Sequence, residues 1–262
     1  YTGDEENPGE PLLEARKDLI EAAQKSEIAL GFETATGFNY ATVARRGASS
    51  WKLEVEGKQA HSSGIFGENT GAGAIYEASR ILNSFYEELK GEEFLTFNPG
   101  LVLGGTNVAF NEAQSRGEAS GKDNVVAKTA VAVGDLRFIS EEQKNAARQR
   151  MKAIVEKSLP KTSATISFFD GYPAMSPTDG NFELLKILSN VSNDLGYGEV
   201  QAYDPGRRGA ADVSFVAQYV DCLDGLGAMG SGAHSPNETV DLKTFEELTL
   251  RTAIFIYRLV NE

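Results

Sequence analysis

Residues 50–57, SWKLEVEG, alternate without a break: Trp51, Leu53 and Val55 on one side, Lys52, Glu54 and Glu56 on the other. Period-two patterning of this kind belongs to a strand with one dry face and one wet face. From Gly71 to Lys90 the period becomes helical, with Ile75, Ala78, Leu82, Phe85 and Leu89 predicted on one stripe. Two more strands are expected within LTFNPGLVLGG (95–105) and NVVAKTAVAVGDLRF (124–138), and the polar NEAQSRGEASGKD (111–123) between them reads as an exposed loop. Ser140 with Gln143 three residues on is a capping box that opens a second helix, carrying Ala147, Met151, Ile154 and Val155 inward and stopping at Pro160. SATISFF (163–169) closes the set as a strand. In order this is β-α-β-β-α-β, the ferredoxin-like split arrangement, a four-stranded antiparallel sheet with both helices on one face. Its other face, or its edge strand, needs cover, and a dimer partner is one source of it.

Working outward, EPLLEARKDLIEAAQKS (10–26) reads as one amphipathic helix and EIALGFE (27–33) as a buried strand. Beyond the insertion, α/β alternation returns: a helix in 181–196 stopped by Gly196, a strand in 198–203, a helix in 210–220, a buried strand in 222–230 and a long helix in 241–260. The predicted fold class is α/β, an incomplete larger unit with a ferredoxin-like domain inserted. The expected boundaries are 1–47, 48–172 and 173–262, the first and last belonging to one catalytic-type domain.

The 262 residues, 41% of them hydrophobic, suffice for two modest domains. A formal charge of −13 argues against a nucleic-acid partner, which needs clustered Lys and Arg. No apolar run approaches the roughly 20 residues that span a bilayer, so no membrane partner is expected. The single cysteine, Cys222, excludes an intrachain disulfide and a thiolate zinc cluster, which leaves carboxylates and the two histidines, His61 and His234, as metal ligands. His234 follows a strand, within small polar residues; Glu33 ends another; Glu5 and Glu6 would follow a third if a strand precedes Tyr1. Strand ends in α/β sheets collect functional groups, and these are ligands suited to zinc, cobalt or manganese. Each also has a plain reading as a surface residue, and chain ends are commonly frayed.

DEE (4–6) before a helix and FE (32–33), the inserted domain with GKQAHSSG (57–64), and GAHSPNETVDL (232–242) together resemble the M20 metallopeptidase family, along the whole chain and in the right order. The resemblance implies a two-zinc hydrolase, with cobalt or manganese as substitutes. In it Glu5 is the general base, Glu6, Glu33 and His234 are metal ligands, and the inserted domain is a lid that also makes a homodimer. It further implies that His61 reaches across the dimer to an oxyanion and that Asn124 and Arg137 hold the substrate, a small peptide or N-acyl amino acid cleaved next to a free carboxylate. Asp212, in RRGAADVSF (207–215), matches a structural turn. Two departures bear on this. Tyr172 in GYPAM stands where carboxypeptidases of the family often carry Arg, which leaves Arg207 or Arg208 to supply a charge. The family's His-x-Asp motif and bridging Asp have no counterpart, so the chain is expected to be a C-terminal portion, inactive alone. The alternatives are a non-catalytic dimerisation or ligand-binding module, and an aminotripeptidase or carbamoyl-amide hydrolase of the same superfamily; Glu33, where tripeptidases tend to have Asp, disfavours the tripeptidase.

Overall fold

The computed structural model describes Gly9, residues 11–233 and residues 235–261. Along the chain run α1 (Leu12–Ala15), α2 (Lys17–Ala23), β1 (Ile28–Leu30), β2 (Tyr40–Ala41), β3 (Gly47–Gly57), α3 (Ala74–Leu89), β4 (Thr96–Gly105), β5 (Asn107–Asn111), β6 (Arg116–Ser120), β7 (Thr129–Phe138), α4 (Glu141–Val155) and β8 (Thr162–Asp170). Then follow α5 (Asp179–Asp194), β9 (Gln201–Ala202), β10 (Asp221–Leu223), β11 (Gly230–Ser231), β12 (Thr239–Val240) and α6 (Leu242–Asn261). They form two units, Tyr1–Gly47 with Tyr172–Glu262, and Ala48–Gly171. No helix among the described residues is long and apolar enough to cross a membrane.

The Ala48–Gly171 unit is the mixed α/β arrangement the alternation predicts: a four-stranded sheet in the order β4-β7-β3-β8, with β3·β8 and β4·β7 antiparallel. Trp51, Leu53 and Val55 are buried beneath the helices, and Trp51 meets Phe85 of α3 edge-on at 5.9 Å. Half of the predicted capping box forms: the Ser140 hydroxyl accepts the Gln143 N–H at 3.1 Å, while the Gln143 side-chain oxygen accepts from the Ile139 N–H, one residue earlier, rather than from Ser140's own.

Four expectations change. The stripe of α3 turns: Ile75 is exposed, and the buried face is Ala74, Glu77, Ala78, Ile81, Phe85 and Leu89. A buried carboxylate is tolerable only when fully partnered, and Glu77 takes two hydrogen bonds from Arg80 and one from the Leu159 N–H. The polar 111–123 segment is not a loop but part of the β5–β6 hairpin, turned at Ser115 (φ 47°) with the Asn111 side chain capping the turn. Long polar segments hide a hairpin when only alternate residues, here Val108 and Phe110, are half-buried. The predicted helix over 210–220 is a 3₁₀ turn, Asp212–Phe215, in which the Asp212 carboxylate is taken by the Arg16 Nε at 2.6 Å and Val213, Ser214 and Phe215 are buried in succession rather than at helical spacing. That same buried Arg16 divides the predicted first helix into α1 and α2, with its own backbone outside the helical region at φ −102°, ψ 7°.

The hairpin also covers part of the sheet face that lacks helices. Leu101 stands opposite Val133 and Leu103 opposite Val131 on that face, and Gly117 of β6 lies so close over Leu103 that a Cβ there would sit 2.2 Å from its Cδ1. Lys52 Nζ clamps the hairpin at Glu112 (2.7 Å) and also pairs with Glu54 (3.0 Å), leaving a cavity of about 530 Å3 lined by Leu101, Phe110 and Val133. Cover expected from a partner is thus supplied in part by this chain.

The other unit is built from small pieces: the parallel pairs β1·β10 and β2·β9, the antiparallel pair β11·β12, and helices α5 and α6 packed together. Its core includes Ala23, Met175, Ala211, Val213, Val216 and Cys222. α6 buries Leu248, Arg251, Thr252 and Phe255, while Leu242, Phe245, Leu250, Ile256, Tyr257 and Val260 remain exposed.

Candidate active site

Of the residues singled out in the sequence, Glu5, Glu6 and His234 lie outside the described residues. Glu33 is half-buried just beyond β1, and a closed ring of hydrogen bonds fixes its backbone. Its N–H donates to Asp224 Oδ1 (3.4 Å), and its carbonyl accepts from the Gly227 N–H (3.0 Å). Asp224, wholly buried after β10, also accepts the Gly225 N–H at 2.6 Å and the Arg45 Nε at 2.5 Å. Arg45 Nη1 donates to the Gly209 carbonyl, and Arg208, next in the chain to Gly209, donates from Nη2 to the Thr34 carbonyl beside Glu33. Gly31 is required here, since a Cβ would lie 2.2 Å from Asp224 Oδ1.

Arg45 and Asp224 were not singled out in the sequence. The signal was present as an Arg in TVARRG and an Asp in CLDGLG, charges within apolar runs that can be buried only as a pair. Arg207 and Arg208 separate by environment. Arg207 is exposed over the Tyr203 ring, whereas Arg208 is half-buried, and burial first, then the nearby Arg45 guanidinium, lower its pKa against the opposing pull of Asp224 and Glu33.

In the inserted unit, His61 and Asn124 come together. Residues 61 and 125 form an antiparallel bridge, the Ser62 N–H donating to the Asn124 carbonyl and the Val126 N–H to the Ala60 carbonyl, both at 2.9 Å. Both side chains are exposed. Arg137 is elsewhere. It stands near the C-terminal end of β7, opposite Thr96, with its Nε on Asp135 at 2.9 Å. Eight residues of strand from Thr129 put it about 27 Å from the end of β7 that Asn124 precedes. Arg137 is at the end of the sheet where the chain enters at Ala48 and leaves at Gly171; His61 and Asn124 are at the opposite end.

Among the described residues no group of three or more His, Cys, Asp and Glu side chains is arranged to hold a metal ion. Glu33 is the single described member of the implied ligand set, and one carboxylate does not make a zinc site.

The profile of the peptidase dimerisation domain of M20 peptidases matches residues 43–163. No curated protein matches the chain in sequence. Among solved structures, aminopeptidase PepT from Bacillus cereus superposes with a TM-score of 0.67 at 15% identity, over 94% of this chain and 61% of its own. A tripeptidase from Staphylococcus aureus gives 0.62 at 14% identity, over 96% and 68%. The YXEP protein of Bacillus subtilis, described as a dinuclear metal binding peptidase from the M20 family, gives 0.59 at 15% identity, over 93% and 59%. The chain thus spans about three fifths to two thirds of the length of these structures, and the likeness is one of fold.

Proposed function

From the premise that residues 43–163 are an M20 peptidase dimerisation domain, in a chain with the fold of M20 peptidases, we propose that the protein is a hydrolase of a peptide or amide bond next to a free carboxylate. It acts as a homodimer and depends on a divalent metal, zinc by preference. In this proposal Glu5 is the general base and Glu6, Glu33 and His234 are metal ligands, together with donors beyond the described residues.

The observation that carries the reading is the separation of His61 and Asn124 from Arg137 along the sheet. A small substrate cannot touch both ends of one sheet roughly 27 Å apart. In a two-fold dimer, the two ends of the sheet can serve different sites, one end in one copy's site and the other end in its partner's. Arg137 would then bind the substrate carboxylate of its own chain's site by a charge-assisted pair. The partner's copies of His61 and Asn124 would donate hydrogen bonds to the oxygen on which charge develops. Arg208 is the better candidate for a second cation near Glu33 than Arg207, since its guanidinium is held against the Thr34 carbonyl.

Mixed dimers test this in the full-length protein. Copies carrying His61→Gln and copies carrying Arg137→Ala, each inactive alone, are co-expressed in equal amounts. One site in each hybrid is intact, so random pairing restores about one quarter of wild-type turnover. No recovery, with hybrid dimers demonstrated by mass, would overturn the shared-site reading.

A further inference from the structure

We infer that Ser63 is a positioning residue that selects the tautomer of His61. His61 caps the 3₁₀ turn Ser62–Gly64, and its Nδ1 receives the Ser63 backbone N–H at 3.2 Å. The Ser63 hydroxyl lies 2.8 Å from the same nitrogen. A backbone N–H can only donate, so Nδ1 must be the acceptor, and in the neutral ring the proton then resides on Nε2. With Nδ1 already hydrogen-bonded, the Ser63 hydroxyl also donates to it.

The backbone around the ring is held from both sides. The Gly64 N–H closes the turn on the His61 carbonyl at 3.0 Å, and the Ser62 and Val126 amides bridge the segment to the strand-like stretch at 124–126, anchored by the buried Val126. The imidazole is exposed, so Nε2–H is a donor presented outward by a ring whose tautomer is set from behind. An oxyanion needs a donor already in place, since reorganising one during the reaction forfeits much of its effect. The consequence for turnover rests on the proposed role of His61; the tautomer itself does not.

Two arms separate these. With the chain labelled in 15N at about pH 8, above the usual histidine range, long-range 1H–15N correlations report each ring's tautomer. There are two histidines, and His61→Gln identifies the signals by their loss. The expected result is an Nε2–H pattern alone for His61, relaxing toward the mixture of a solvated imidazole in Ser63→Ala and further in Ser63→Pro, which also removes the N–H. An Nδ1–H pattern, or the same mixture in wild type and both variants, would sink the inference. In the full-length protein, Ser63→Ala should lower kcat about 3- to 10-fold with KM within about twofold, and Ser63→Thr should restore it. If the tautomer responds as expected while His61→Gln leaves kcat unchanged, the proposed function fails and the tautomer control stands. If His61→Gln abolishes turnover but Ser63→Ala changes neither tautomer nor kcat, the control fails alone.

Discussion

The inserted unit and the unit around it solve the same problem in different ways. The first has one four-stranded sheet, two helices on one face and a hairpin across part of the other, with Trp51, Phe85 and Leu136 enclosed between sheet and helices while Phe66, Ile75, Tyr76, Tyr86, Val102 and Phe169 stay exposed. The second has two-stranded parallel pairs, which bury little by themselves, and a long helix with an apolar face left open at Phe245, Ile256, Tyr257 and Val260. Polar ties do there what a sheet does in the other unit: Arg45–Asp224, Arg16–Asp212 and Asn181, whose side chain bonds the Val43 and Ser176 carbonyls and the Cys222 N–H. A core layer loses stability in proportion to the volume removed, whereas a buried tie fails when one partner goes and leaves the other charge uncompensated.

The molecule carries a reporter for each side of this contrast. Its single tryptophan, Trp51, is in the core of the inserted unit, and its single cysteine, Cys222, is buried in the other. Burial, with Asp221 and Asp224 adding to it, pushes the Cys222 thiol up to about 12, so labelling of the folded protein at neutral pH should require that unit to open.

The largest effect is expected from Phe85→Ala, which removes the ring packed edge-on against Trp51 and should cost about 4 kcal/mol. It is read as an earlier denaturant midpoint in Trp51 fluorescence, with the rate of thiol labelling unchanged; movement of both reporters together would mean that the two units open as one. Asp224→Ala should do the reverse. It strands Arg45 in the interior at a cost of about 3 kcal/mol, accelerates labelling of Cys222 and leaves the fluorescence midpoint in place. The smallest change is Ser140→Ala, loss of a helix cap in the inserted unit, worth about 1 kcal/mol in the fluorescence transition and nothing in labelling.

The inserted unit is also where the sequence was most legible. Trp51, Leu53 and Val55 announce their strand because burial alternates along a regular strand, and Ser140 and Gln143 announce a helix start because a cap is made within four residues. The β5–β6 hairpin escaped notice because its seat, Leu103 under Gly117, is a contact between segments that carry no shared pattern. In the other unit, strands of two or three residues and a 3₁₀ turn in place of the 210–220 helix are too short to carry a period, and the ties that hold them, such as Arg16–Asp212, join segments far apart in the chain.

Short-range spacing was enough to establish the α/β class and the β-α-β-β-α-β order of the four-stranded sheet and its two helices, because those signals are written within one or two turns of chain; Glu33 stood out by its place at a strand end, and His61, Asn124 and Arg137 became candidates through the resemblance to M20 metallopeptidases. Which candidates meet is a matter of tertiary structure. His61 joins Asn124 through a bridge between distant segments, Arg137 is carried to the far end of the same strand order, and Glu33 rests on Asp224, itself held by an arginine 179 residues away. Hydrogen bonds of that range depend on how the chain closes on itself, and no local pattern encodes closure.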